Sequence, residues 1–139
     1  CDPREDMIEQ FKIEGVQLIS GTPDDAINRY VKDEMSAIVA LTHDPRIDDM
    51  GLMQALKTSA FFIGAMGSKK TSEKRRERLM QLDLSKAEID RLHAPVGLPI
   101  GSKTPSEIAI SIIAQLSSIR NQNKSIENKE RHSRRSEPI

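Results

Sequence analysis

Apolar residues along the chain fall into two kinds of pattern. Three short stretches have strand length: Val16-Gln17-Leu18-Ile19, Ala37-Ile38-Val39-Ala40-Leu41 and Ala60-Phe61-Phe62-Ile63. Unbroken apolar runs of this length fit strands covered on both faces, as in a parallel sheet. Elsewhere the apolar positions recur at helical spacing. Leu52, Met53 and Leu56 mark a helix over 50–57, Leu79 and Leu82 anchor a charged helix over 71–82, and Ile108, Ile112, Ile113, Leu116 and Ile119 mark the last one. Start signals agree with this division. Thr22-Pro23-Asp24-Asp25 places an N-cap, a proline at the first helical position and acids in the first turn, opening a helix to about Val31. Ser85-Lys86-Ala87-Glu88 is a capping box, and Thr104-Pro105-Ser106-Glu107 repeats cap, proline and third-position acid. The segment 93–101 holds two prolines and two glycines and reads as a rigid loop with a short strand over 96–100. Strands alternating with helices predict an α/β fold: a parallel sheet with helices on both faces, joined by right-handed crossovers. From Asn121 the chain turns polar, and 121–139 reads as a disordered tail.

Composition narrows the function classes. The chain's 139 residues suffice for one domain with a core. Its 21 basic and 21 acidic residues balance, so no global field draws it to nucleic acid or an anionic membrane. No stretch of roughly 18 apolar residues is present to span a bilayer. The single cysteine, Cys1, excludes an internal disulfide and a cysteine-built zinc site, which fits a reducing cytoplasm. The sequence opens on Cys1-Asp2-Pro3 rather than Met, as a chain already in mid-fold would, so an N-terminal part is expected outside it.

The richest segment is Phe61-Phe62-Ile63-Gly64-Ala65-Met66-Gly67-Ser68-Lys69-Lys70-Thr71. An apolar run, two glycines and a basic helix start read as a strand-to-helix turn. The first N–H groups of a helix have no internal partner, which makes such a turn an anion site. Lys69 and Lys70 lie at the positive end of the helix dipole, where a bound anion would offset their repulsion. Gly64, Gly67, Ser68, Lys69, Lys70 and Thr71 are therefore candidate ligand residues; beyond Thr71, the basic residues Lys74, Arg75, Arg76 and Arg78 read as a solvated helix face. Thr42, His43 and Asp44 follow the preceding strand and are expected at the same end of the sheet, where ligands of open α/β folds bind. Asp48 and Asp49 read as caps of the next helix rather than metal ligands, and Asp2 is a conditional candidate for ribose recognition. No metal site and no catalytic residue is assigned.

Five motifs in order resemble one family: Asp2-Pro3-Arg4, Leu41-Thr42-His43-Asp44-Pro45, Ile63 to Thr71, Arg91-Leu92-His93-Ala94-Pro95-Val96-Gly97, and Ile100 to Ala109. Together they resemble the C-terminal Rossmann-like domain of the XdhC family, the xanthine dehydrogenase accessory factors, over about residues 1–120. The resemblance implies a three-layer Rossmann-like fold lacking its first strand–helix unit. It implies a maturation factor that binds the molybdenum cofactor, as molybdopterin or its dinucleotide form, and assists its sulfuration and insertion. The implied partners are a cysteine desulfurase and a molybdenum hydroxylase of the xanthine dehydrogenase or aldehyde oxidoreductase type, with a homodimer open. The alternatives are a fragment of a nicotinamide-dependent oxidoreductase, with His43 as acid–base catalyst, and a regulatory nucleotide-binding module.

Overall fold

The computed structural model describes residues 1–136. It divides into two compact units, 1–96 and a second beginning at Gly97. In the first unit the elements run α1 (Glu5–Gln10), α2 (Pro23–Tyr30), β1 (Ala37–Ala40), α3 (Pro45–Ala55), β2 (Phe62–Ala65), α4 (Lys69–Met80), α5 (Lys86–Asp90) and β3 (Leu92–His93). The strands form one parallel sheet in the order β1-β2-β3. Ile38 pairs with Ile63 and Val39 with Gly64, while Gly64 pairs with His93 on the other side. β1 thus has a strand neighbour on one side only among the described residues.

The core explains the apolar runs. Leu52 and Ala55 of α3 and its C-cap Leu56 pack with Ile63 and Ala65 of β2, Leu79 of α4, Ile89 of α5 and Leu92 of β3. All four residues of β2 are buried, as expected for the central strand. Arg91 secures the connection between α3 and β2 by donating to the carbonyls of Leu56, Thr58 and Ala60 at 3.0, 2.8 and 2.8 Å. The predicted strand at 16–19 does not form. Among the described residues, the segment leads only into an isolated parallel bridge, Ser20 with Asp2, with no further strand beside it. α3 starts at Pro45, five residues ahead of the pattern at Met50, because Asp44 rather than Asp48 or Asp49 is its cap. The third strand is Leu92–His93 instead of 96–100.

His93 is half-buried and stacks flat on Phe62, ring centroids 4.9 Å apart. Burial first, and Arg76 second, push its proton affinity below the ordinary value of 6.5. The unfolded chain then takes up the proton first as pH falls. Stability is therefore full above about pH 6.5 and declines below it. The thermal midpoint of the native chain is expected to drop more steeply from about pH 7 to about pH 5 than that of His93→Gln. Parallel slopes would assign the acid loss to other groups.

In the second unit, α6 (Pro105–Arg135) begins at the Thr104 cap, whose hydroxyl accepts from Glu107 N at 3.2 Å. Gly97, at φ +104°, donates its N–H to Gln115 Oε1 at 2.7 Å, and a Cβ there would meet Ser111. α6 runs on through 121–135, the segment expected as a disordered tail. No glycine or proline interrupts the chain between Ser106 and Glu137, and Gln, Lys, Glu and Arg are good helix formers. Residues 137–139 of that expected tail lie outside the described residues.

Candidate functional site

The connections after β1 and β2 leave the same end of the sheet side by side, since Met66 N donates to Ala40 O at 3.0 Å. This end is where open parallel sheets bind ligands. It brings together the two groups of expected residues, Thr42–Asp44 and Gly67–Thr71.

The corner after β2 is built around Ser68. Its hydroxyl accepts from Thr71 N at 3.1 Å, and Thr71 Oγ1 accepts from Ser68 N at 2.9 Å, a reciprocal capping box. Both hydroxyls are thereby committed to holding the turn. Among the described residues, the N–H groups of Gly67, Lys69 and Lys70 have no hydrogen-bond partner. They are the donors a ligand would meet. Unlike α2, α3, α5 and α6, α4 has no acid in its first turn. Lys69 and Lys70 stand there exposed instead, so the helix dipole is left uncompensated. Gly64, expected at the turn, lies inside β2, fully buried. A Cβ there would collide with Val96, which explains the glycine by packing. Gly67 does sit at the corner, where a Cβ would lie 2.8 Å from Thr71 Oγ1.

The neighbouring loop is held as firmly. Thr42 donates from N and Oγ1 to Asp48 Oδ1 at 3.3 and 2.7 Å, and Asp44 N donates back to Thr42 Oγ1 at 3.1 Å. Asp44 caps α3, accepting from Arg46 N at 3.0 Å, and pairs with the Arg46 guanidinium at 3.3 Å. The Arg46 side chain first, and its backbone N–H second, hold the Asp44 carboxyl below its usual range. Its charge is thus already matched. His43 is the exposed apex of the loop, at φ +64°.

Sequence reasoning missed the group beneath both loops. Arg75, expected on a solvated face, is 5% exposed. It donates from Nη1 to Met66 O at 3.2 Å and from Nε to Asp49 Oδ1 at 3.0 Å, and its Nη2 lies 3.9 Å from Asp48 Oδ2. Arg78 adds a bond to Asp49 Oδ2 at 2.7 Å. Asp48 and Asp49 are thus paired to arginines rather than capping a helix. The only available signal was complementary charge: two acids on one helix and two arginines at helical spacing on the next. Ser72 Oγ, fully buried and without a partner among the described residues, lies 3.7 Å from where a Cβ on Gly67 would be.

On the open side of β1 a cleft of about 580 Å³ is lined mostly by apolar side chains, among them Ile19, Ile27, Ile38 and Leu52. Asp2, Arg4, Thr42 and His43 rim it. Asp2 is tied to Arg4 through a two-pronged pair, 2.9 Å on each prong, and this pairing holds its carboxyl below the ordinary range. Among the described residues, no helix is long and apolar enough to cross a membrane and no cluster of His, Cys, Asp and Glu suits a metal ion.

Comparison with known proteins places this geometry in a family. The model of the XdhC Rossmann domain matches residues 1–116. The molybdenum cofactor insertion chaperone PaoD of Escherichia coli is 31% identical over 88 residues, covering 63% of this chain and 28% of that protein. A protein of Bacillus subtilis described as a probable component of xanthine dehydrogenase is 29% identical over 100 residues, covering 72% of this chain and 28% of the relative. The crystal structure of a xanthine dehydrogenase from Bacillus halodurans superposes with a TM-score of 0.70 at 30% identity, over 87% of this chain and 34% of that one. The chain thus spans about a third or less of the length of these relatives.

Proposed function

Because the chain belongs to the XdhC Rossmann-domain family, we propose that it is the cofactor-holding domain of a maturation factor for molybdenum hydroxylases of the xanthine dehydrogenase and aldehyde oxidoreductase type. The molybdenum cofactor is its cargo, as molybdopterin or the dinucleotide form. When bound, that cargo supplies the redox chemistry of the target enzyme; this chain contributes grip and release. The observation that carries the reading is the open N-terminus of α4, with three unpartnered N–H groups beside two lysines and no acid. A phosphate of the cargo would be held by Gly67, Lys69 and Lys70 N–H. Ser68 and Thr71 shape that corner, and Gly64 lets β2 pack beneath it. Thr42, His43 and Asp44 would wall the neighbouring side.

The name of the PaoD relative supports an insertion role. Sulfuration of the cargo with a cysteine desulfurase, a cytoplasmic place of work and self-association as a dimer belong to the same proposal.

Calorimetric titration of the chain with molybdopterin cytosine dinucleotide, cytidine monophosphate and NAD⁺ tests it. The pterin ligand is expected to bind tightest, and Lys69→Glu to weaken it about fivefold by reversing a charge at the anion's side. Preference for NAD⁺, or an affinity unmoved by Lys69→Glu, would overturn the proposal.

A further inference from the structure

We infer that Arg75 is a positioning residue, setting the Thr42–Asp44 loop and the Met66–Ser68 corner at one fixed spacing so that a single anionic ligand reaches both. This rests on the anion-site reading above. The guanidinium spends its nitrogens on different targets. One grips the carbonyl of Met66, the residue before Gly67, and another faces Asp48, whose carboxylate in turn holds Thr42 by N–H and hydroxyl. The chain of contacts therefore begins in one ligand loop and ends in the other. Arg75 Nε also bonds Asp49 of α3 at 3.0 Å, but Arg78 already clamps α3 to α4 through the same Asp49, farther out, with the Arg78 side chain 44% exposed; the contacts to Met66 and Asp48 are what Arg75 adds. Arg75 instead lies under the corner, and its Nη1 comes within 3.9 Å of where a Gly67 Cβ would be. The orphan hydroxyl of buried Ser72 faces the same spot. Only a planar fork can serve separated acceptors in this way; an ammonium is a single point charge.

Arg75→Lys keeps the charge and removes the fork. In amide spectra of the ligand-free chain, Arg75→Lys is expected to displace the resonances of Thr42 and Gly67 together. Asp48→Asn, approached from the other loop and available should Arg75→Lys fold poorly, is expected to displace the same pair. Titrated with inorganic pyrophosphate, the native chain shifts both loops, and either variant binds more than tenfold more weakly. Arg78→Lys binds as the native chain does. Shifts confined to α4, with pyrophosphate affinity within twofold of native, would overturn the inference. A native chain whose loops ignore pyrophosphate would overturn the anion-site reading, while joint displacement in the free variants would still establish the link between the loops.

Discussion

Arg75→Met is expected to destabilise the chain by about 3–5 kcal/mol, read from the shift of the urea unfolding midpoint. The side chain is 6% exposed, and its removal leaves Asp48, 3% exposed, facing a hydrocarbon stem instead of a cation. Asp48 would keep only the Thr42 bonds, and a buried carboxylate without its counter-charge is far more costly than the pair is stabilising. Met66 O loses its donor as well. Folded domains are stable by only about 5–15 kcal/mol, so the variant should stand close to unfolding at ordinary temperature. Arg78→Met is the comparison. Its partner Asp49 retains Arg75, and the site is half in solvent, so the loss should stay within about 1 kcal/mol. Equal losses for the two variants would show that Arg75 is not the counter-charge that holds buried Asp48.

Gly67→Val is expected to abolish anion binding with only modest harm to the fold. A Cβ at this position comes within 2.8 Å of Thr71 Oγ1, the atom that closes the capping box. The valine must displace that hydroxyl. Losing a helix cap costs about 1 kcal/mol, and a Cβ at φ +159° adds backbone strain of about 1–3 kcal/mol, together still less than a typical domain's stability. The added branch also stands where a ligand would approach the free N–H groups. Pyrophosphate affinity should fall by at least about tenfold, equivalent to about 1.4 kcal/mol, while the circular dichroism spectrum stays native. Binding retained within a factor of about two would remove this corner from the ligand site.

Much of the framework was legible because local chemistry decided it. Ala37–Ala40 and the run into Phe62 read as strands through unbroken apolar sequence, and Ser85 and Thr104 announced their helices through their own hydroxyls. The losses came where tertiary neighbours decide. The stretch 16–19 has strand composition, but a strand needs a ladder, and only the Asp2–Ser20 bridge forms. α1 is six residues with no apolar rhythm, so nothing local marks it. Asp44-Pro45 carried a usable cap signal, outweighed by the two acids that follow. At the candidate site, the two loops that the structure brings side by side were visible as glycine and threonine chemistry. Arg75 was not, because a basic helix stretch does not reveal which of its members turns toward an acidic neighbour.

The free margin of β1 bears on how the molecule behaves in quantity. Among the described residues, that strand has no ladder partner away from β2; its apolar segment borders the cleft lined by Ile19 and Ile27, and an unpaired edge of this kind is one on which one polypeptide templates the next. Copies of the chain are therefore expected to stack margin to margin as the solution is concentrated, so that yield and monodispersity depend on keeping it dilute.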